Sequence, residues 1–436
     1  IGAQVAEGMR FHLGLGKADS EERTRRILDE VGLPPSQYSP DRFPHQLSGG
    51  QRQRVVIAIA LALNPKLLIA DEPTTALDVT TQATILNLLR ELTEQHGSAL
   101  MLISHDLAVV ADMVDHIAIM KDGRVVEQGS TLELFNNLES DYSRKLLSAS
   151  RLEDQNYQRK AKSSSEKLVQ VDVLKRRYPK PKSSVFAAQE YTEAVKGVSF
   201  HIQAGESLGL VGESGCGKST LARSILALEK PNGGAIRFQG KDVTTLSRSD
   251  MVSLRENMQV IFQDPYGSFN PRHTIGRLVA EPLHLKKTLT VSQKNAMVAD
   301  VLQGVGLPAD TALRYPHEFS GGQRQRIAIA RSIITEPKLI IADEPVSALD
   351  VSIRGQILDL LAELADRLSM SYLFISHDLH VVRAVTDRVL VMKAGEIVEQ
   401  GNTEDVFSNP QHDYTKQLLA STLHLDAVLE RRAARA

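Results

Sequence analysis

The feature of this 436-residue sequence that most limits its fold is an internal repeat. The segment PHQLSGGQRQR, which starts at Pro44, returns 272 residues later as PHEFSGGQRQR, which starts at Pro316. The same spacing relates three further pairs of segments: 68–73 with 340–345, 76–78 with 348–350, and 103–106 with 375–378. A repeat of this length is typical of a duplicated domain. We therefore expect the chain to hold two similar domains.

The two copies differ in length. Residues from about 168 to 274 of the second copy have no counterpart in the first, so we expect the first copy to begin inside the repeating unit. Residues 151–167 are polar, charged and rich in Ser, which is typical of a linker. The predicted organisation is a shortened first domain over 1–150, a linker over 151–167, a complete second domain over 168–408 and a C-terminal tail over 409–436.

Composition and charge exclude several classes of protein. Lys and Arg number 51 against 53 Asp and Glu, so the basic excess typical of a nucleic-acid partner is missing, and we predict none. No apolar run approaches the roughly 18 residues that a membrane-spanning helix needs. The sequence has 1 Cys, which excludes an internal disulfide framework.

Short apolar segments alternate with helical patterns in the second copy. We predict buried strands at 168–173, 208–211 and 339–342, and helices at 219–228, 293–304 and 352–368. Strands that alternate with helices usually form a mostly parallel sheet, so the predicted fold class is α/β.

A glycine-rich segment follows the strand at 208–211 and precedes a helix. It reads GESGCGKST and satisfies the phosphate-loop pattern G-x-x-x-x-G-K-[ST]. The residues predicted to bind phosphate are Gly212, Glu213, Ser214, Gly215, Cys216, Gly217, Lys218, Ser219 and Thr220. We expect Lys218 to reach the β- and γ-phosphates and Ser219 to bind Mg²⁺, while Cys216 only fills space.

Two acids and a histidine follow later strands of the same copy. Asp343 and Glu344 end the strand at 339–342, a position beside the phosphate loop in a parallel sheet. We predict that Asp343 binds Mg²⁺ through a water molecule and that Glu344 is the general base that polarises the attacking water. His377 follows another apolar strand and is placed to contact the γ-phosphate.

The order of these motifs resembles the ABC transporter ATPase family. The resemblance implies that Gln263 is the Q-loop glutamine, which serves both catalysis and Mg²⁺ binding. It also implies that Ser320 begins the signature SGGQ and that residues 347–350 form the D-loop. Tyr178 is the predicted adenine-stacking aromatic, with Phe186 or Tyr191 as alternatives.

Within that family the chain is similar to the ATPases of oligopeptide and dipeptide importers, in the fused two-domain form. Residues 262–272, 315–322 and 410–419 carry this likeness. It implies two tandem P-loop NTPase domains of the ABC type, each with a helical subdomain, and an antiparallel β subdomain in the second. The implied activity is ATP hydrolysis coupled to import of peptides or a related small solute, with glutathione, nickel and opine-like solutes left open. The implied partners are two transmembrane permease subunits and an extracytoplasmic solute-binding protein, at the cytoplasmic face of the inner membrane.

In this family each ATP lies between the phosphate loop of one domain and the signature of the other. The residues of the first copy that would close the site are Ser48, Gly49, Gly50 and Gln51. The mirror site would lack a phosphate loop, so we expect the sequence to be a fragment of a longer protein. Two other classes are the alternatives: tandem ABC proteins that act on ribosomes usually carry Asn-His in the D-loop, and DNA-repair ATPases carry coiled-coil insertions. Neither feature occurs here.

Overall fold

The computed structural model describes residues 1–75, 77–151, 164–180, 188–286, 288–347 and 349–434. Most of the predicted linker (152–163), the alternative aromatic Phe186 and residue 348 of the predicted D-loop lie outside the described residues. The chain divides into two compact units, Ile1–Ser150 with Ala420–Ala436 and Arg151–Leu419.

The first unit combines a helical part with two short pairs of strands. Its helices are α1 (Gly2–Leu13), α2 (Lys17–Glu30), α3 (Gly49–Leu61), α4 (Val79–His96), α5 (Leu107–Met113), α6 (Thr131–Asn136) and α7 (Asp141–Arg151). Its strands are β1 (Leu67–Asp71), β2 (Ala99–Ile103), β3 (His116–Lys121) and β4 (Arg124–Ser130). In the part that the structure describes, β1 pairs in parallel with β2, and β3 forms a separate antiparallel hairpin with β4.

Local signals in the sequence set the ends of these helices. The Asp78 carboxylate accepts the N–H of Thr81 and caps α4, and Gly97 ends that helix in the left-handed conformation. Helices α1 to α4 enclose one apolar core, in which Met9, Leu28 and Ile85 are fully buried.

The second unit contains two sheets and the helices that cover them. Its strands are β5 (Lys167–Pro179), β6 (Tyr191–Gln203), β7 (Ser207–Val211), β8 (Gly233–Phe238), β9 (Lys241–Asp242), β10 (Met258–Ile261), β11 (Leu339–Asp343), β12 (Ser371–Ile375), β13 (Arg388–Lys393) and β14 (Glu396–Asn402). Its helices are α8 (Lys218–Ile225), α9 (Arg248–Asn257), α10 (Pro265–Ser268), α11 (Ile275–Val279), α12 (Val291–Gly304), α13 (Gly321–Ile333), α14 (Val351–Leu368), α15 (Leu379–Val385), α16 (Thr403–Ser408) and α17 (Asp413–Ala420).

The main sheet of the second unit has the order β10-β11-β12-β7-β13-β14 among the described strands. Neighbouring strands in this sheet are parallel, except that β13 and β14 are antiparallel. Strands β7 and β12 are buried along their whole length, because one face packs on α13 to α15 and the other on α8 and the second sheet. The second sheet, β6-β5-β8-β9, is antiparallel.

The predicted elements exist, although some of their bounds differ. The strand predicted over 168–173 continues to Pro179, because register shifts after Val171 carry it past Val173, which has a φ of 45° and points to solvent. The helix predicted over 219–228 ends at Ile225, and Ala227 takes a positive φ of 54°.

The predicted tail over 409–436 is divided between the two units. Helix α17 belongs to the second unit, where Tyr414 and Leu418 are buried in the core. The last helix, α18 (Leu425–Ala433), belongs to the first unit and packs on α5. Apolar packing accounts for this position: Val428 of α18 is 1% exposed and lies in one cluster with Leu107 and Val110 of α5.

No helix in the described part of the chain is both long and apolar enough to cross a membrane.

Candidate functional site

The phosphate loop connects β7 to α8, as the sequence predicts. Its backbone passes so close to other strands that two positions require glycine. A Cβ on Gly212 would lie 2.1 Å from the carbonyl oxygen of Met392, and one on Gly217 would lie 2.2 Å from that of Ala194. Both glycines have positive φ, 150° and 112°. The loop is therefore wedged between β6 and β13, and its N–H groups lead into the N-terminus of α8.

Lys218 folds back into the hollow of this loop. Its side chain is buried, and its Nζ donates to the carbonyl oxygens of Gly212 at 2.6 Å and Glu213 at 2.9 Å. The ammonium group is thus held where a phosphate group would approach the loop. Cys216 is buried beside it, and burial raises the pKa of its thiol. A protonated, enclosed thiol agrees with the predicted space-filling role.

Ser219 and Asp343 lie together at the carboxyl end of the sheet. Burial, followed by the charge of Glu344, raises the pKa of Asp343, while Lys218 and a hydrogen bond from the Ser219 hydroxyl act against that shift. A buried carboxylate of this kind gains from a bound cation, and a hydroxyl with a carboxylate is a donor set that suits Mg²⁺. The residues present therefore fit the predicted ion.

Glu344 is the centre of a hydrogen-bonded group of three side chains. His377 Nδ1 lies 3.0 Å from its Oε1, and Gln263 Nε2 donates to its Oε2 at 2.8 Å. Burial opposes ionisation of Glu344, but His377 and then Lys218 hold its pKa below the usual value. Burial likewise opposes the charged imidazole, yet Glu344 raises the pKa of His377. Glu344 and His377 thus favour each other's charged forms at the ends of β11 and β12, and Gln263 joins them from the end of β10.

A strained backbone aims the Glu344 side chain. Its φ is 49°, a left-handed conformation that a residue with a long side chain rarely takes. The same conformation occurs at Glu72 in the first unit, with a φ of 48°, and His105 Nδ1 lies 2.8 Å from Glu72 Oε1. The carboxylate–histidine pair thus recurs in the first unit, where the described residues contain no phosphate loop.

The signature residues of both copies lie at the N-termini of long helices. Ser48 caps α3: its Oγ accepts the N–H of Gln51 at 3.3 Å, and its own N–H donates to Gln51 Oε1 at 3.0 Å. Gly49 is exposed and Gly50 is partly exposed, and a Cβ on Gly50 would lie 2.4 Å from Thr81 of α4. The predicted contact residues of the first unit thus form a helix N-terminus that suits a phosphate group.

The aromatic candidates occupy different places. The hydroxyl of Tyr178 donates to the Glu229 carboxylate and lies 3.4 Å from Thr220 Oγ1, while Arg176 lies over its ring. Tyr178 is therefore next to the end of the phosphate loop. Tyr191 begins β6, is 43% exposed and carries Arg177 over its ring. Stacking on adenine by Tyr178 stays a prediction.

Sequence reasoning missed two residues of the site. Ser347 hydrogen-bonds to Glu344, and the backbone N–H of Glu213 donates to Tyr414 Oη at 3.0 Å. Ser347 falls within the predicted D-loop and Tyr414 within the tail segment, and neither pattern indicates these contacts. Elsewhere in the described residues, no group of three or more His, Cys, Asp or Glu side chains has the arrangement of a metal site.

A phosphate loop between a buried parallel strand and a helix, with an acid pair at the end of a neighbouring strand, defines a P-loop nucleotide hydrolase. Comparisons with known proteins identify the family within this class. The family model described as ABC transporter matches residues 3–75 and 195–347, and the model for the C-terminal region of oligopeptide/dipeptide transporters matches 398–436.

Relatives and a solved structure agree with these models. The chain is 43% identical to the peptidoglycan transport ATP-binding protein YejF of Agrobacterium fabrum, over 98% of this chain and 78% of that protein. It is 45% identical to the glutathione import ATP-binding protein GsiA of Escherichia coli strain K12, over 97% of this chain and 71% of that protein. The structure of cbiO1 of Clostridium perfringens, part of an ABC transporter complex, aligns over 62% of this chain and all of that one, with 28% identity and a TM-score of 0.51.

The chain belongs to the ABC transporter family of ATP-binding proteins. It is an ATPase whose hydrolysis is coupled to transport.

Proposed function

We propose that this chain powers an importer of peptides or of a glutathione-like solute, with one ATP held between the phosphate loop of the second unit and the signature of the first. The observation that supports the site is the grouping of Lys218, Asp343 and Glu344 at one edge of the main sheet. The names of the relatives, which include glutathione import and peptidoglycan transport, support the class of solute.

The binding step uses groups that are already oriented. Lys218 leaves the carbonyl oxygens of the loop and turns to the β- and γ-phosphates, where the N–H groups of the loop also point. Mg²⁺ would be held by Ser219 and Asp343, with Gln263 beside them, and would offset the charge on the phosphate oxygens. Tyr178 stacks on the adenine.

The chemical step needs a base beside the γ-phosphate. Glu344 is ionised and accepts a proton from water as the water oxygen bonds to the γ-phosphorus. The bond between that phosphorus and the bridging oxygen breaks, which releases ADP and phosphate. His377 holds Glu344 through Nδ1 and presents the other edge of its ring to the γ-phosphate, and Gln263 keeps the carboxylate in place.

The domain organisation is part of this proposal. The repeat of 272 residues supports two tandem copies, and Ser48, Gly49, Gly50 and Gln51 are the residues of the first copy that cover the nucleotide. Two transmembrane permeases and an extracytoplasmic solute-binding protein complete the importer, with this chain peripheral on the cytoplasmic face of the inner membrane. The movements that accompany ATP binding and hydrolysis pass to the permeases through residues 263–272.

A pair of matched variants tests the shared site. Ser48→Arg places a bulky cation at the N-terminus of α3, so we expect turnover to fall at least tenfold although the change lies in the first unit. Ser320→Arg makes the same change at the N-terminus of α13 and is expected to leave turnover within about twofold. Steady-state ATPase assays at saturating MgATP decide between them. Equal turnover in Ser48→Arg and the wild type would overturn the shared site.

The class of solute has a separate test. Host cells without this gene should lose uptake of radiolabelled glutathione or of a labelled dipeptide. Wild-type protein should restore that uptake, and Glu344→Gln should not. Unchanged uptake of both solutes in the deletion strain would contradict the proposed cargo.

A further inference from the structure

A tyrosine near the end of the chain contacts the phosphate loop. Tyr414 lies in the first turn of α17 and is 2% exposed. Its hydroxyl oxygen accepts a hydrogen bond of 3.0 Å from the backbone N–H of Glu213, which is 201 positions earlier in the sequence. Glu213 is the second residue of the loop, so a side chain from the C-terminal region is bonded directly to the phosphate-binding backbone.

Several contacts fix the position of this tyrosine. The Nζ of Lys393 lies 4.6 Å from the centre of its ring, and Lys393 follows Met392, whose carbonyl oxygen crowds Gly212. The segment before α17 is tied to β14, because the Glu399 carboxylate accepts the backbone N–H groups of Gln411 at 2.7 Å and His412 at 3.1 Å.

Glu213 is therefore held from both sides of its backbone. Tyr414 binds its N–H, and the Lys218 ammonium binds its carbonyl oxygen at 2.9 Å. In the proposed mechanism Lys218 leaves that oxygen when a phosphate group arrives. The bond to Tyr414 does not involve the lysine, so it is the contact that can keep the first turn of the loop in shape after Lys218 has moved.

We propose that Tyr414 is a positioning residue for ATP binding, which holds the phosphate loop in its binding shape from the C-terminal region. The physical reason is preorganisation: a loop that is already ordered loses less entropy when it binds its ligand. The proposal rests on the proposed function, because it requires that this loop binds MgATP.

The first unit supplies a natural control for this idea. At the same spacing of 272 residues, Lys121 Nζ lies 5.1 Å from the ring centre of Tyr142. Glu127 accepts the backbone N–H groups of Glu139 and Ser140 at 2.7 and 3.3 Å, as Glu399 does in the second unit. A lysine, a tyrosine and a glutamate thus make the same contacts at corresponding positions of both units. The two units differ in the hydrogen bond from the Glu213 N–H, which goes to the tyrosine of the second unit.

The test is Tyr414→Phe, which removes the hydroxyl oxygen and keeps the ring under Lys393. We expect the Kd and KM for MgATP to rise roughly three- to tenfold, as for the loss of one hydrogen bond. We expect kcat at saturating ATP to stay within about twofold, because Tyr414 touches no reacting group. Tyr142→Phe is the matched control and should change none of these values. A fluorescent ATP analogue gives Kd, and thermal unfolding in the absence of nucleotide gives Tm.

The outcomes separate this idea from the proposed function. If the wild type and Tyr142→Phe bind MgATP and Tyr414→Phe binds it with the same Kd, the positioning role is wrong. A lower Tm with unchanged KM would also overturn it, because that result indicates a structural tyrosine only. If the wild type itself fails to bind MgATP, the proposed function fails instead.

Discussion

Strands of nearly the same sequence have very different surroundings in the two units. By the sequence repeat, β1 and β2 of the first unit correspond to β11 and β12 of the second. Ile69 of β1 is 58% exposed, whereas its counterpart Ile341 in β11 is 0% exposed. Met101 of β2 is 50% exposed, against 0% for Leu373 in β12.

The difference comes from what lies next to the strands. In the second unit Ile341 and Leu373 pack in one cluster with Leu221 of α8 and with strands of the second sheet, and β7 joins β12 to β13. The described residues of the first unit place no strand between β2 and β3, and the two pairs stay separate. An apolar strand pattern therefore predicts a strand, but its burial depends on elements elsewhere in the chain.

The largest expected contrast between the units is catalytic. Glu344→Gln removes the predicted base, so we expect kcat to fall by roughly 10²–10⁴-fold while MgATP still binds. Glu72→Gln makes the same change in the first unit, which has the histidine partner but no phosphate loop among its described residues. We expect its kcat to stay within about twofold. Single-turnover hydrolysis and nucleotide binding measure both effects, and equal loss in the two variants would break the contrast.

The next contrast is in stability. Ile341→Ala should lower the free energy of unfolding by about 2–5 kcal/mol, because it leaves a cavity in a packed sheet. Ile69→Ala should lower it by less than about 1 kcal/mol, since most of that side chain already faces solvent. Circular dichroism in guanidinium chloride suits this comparison, because the chain has no Trp. Similar losses in both variants would show that the first unit buries β1 after all.

The smallest expected effect concerns the pH dependence of the Glu344–His377 pair. The pKa of His377 is raised in the folded protein, so its contribution is complete below the unfolded value of about 6.5 and is lost as the pH rises through the folded value. The pKa of Glu344 is lowered, so its contribution is present above its unfolded value and is lost as the pH falls through the folded one.

This prediction is checked with His377→Gln. The difference in unfolding free energy between this variant and the wild type should be largest near pH 6 and should shrink at alkaline pH. A difference that grows with rising pH would contradict the assigned charges.

The sequence predicts where the candidate site residues lie along the fold better than it predicts which side chains they contact. Asp343 and Glu344 lie at the end of β11 and Lys218 begins α8, as expected, because the phosphate loop and the acid pair are local patterns, each next to its own apolar strand. The partners of Glu344 come from distant segments, and Gln263 is 81 positions away. Only the family likeness suggested that glutamine, since no spacing rule links it to the acid.

Long-range contacts of the tail were beyond sequence reasoning. The pattern around Tyr414 marked a C-terminal motif, yet nothing in it indicates a bond to Glu213. Likewise, the apolar residues of α18 predict a helix without saying which unit it joins, and that depends on its packing against the apolar residues of α5. Pairing of separate surfaces is a property of the folded chain that short patterns do not contain.

The central claim is that the loop between β7 and α8 binds MgATP through Lys218. The most direct test is equilibrium binding of MgATP to the wild type and to Lys218→Ala, measured by titration calorimetry of the full chain. The account predicts binding at or below millimolar concentration in the wild type and loss of detectable binding in the variant, with both proteins folded. Binding of equal strength in the two proteins would contradict it.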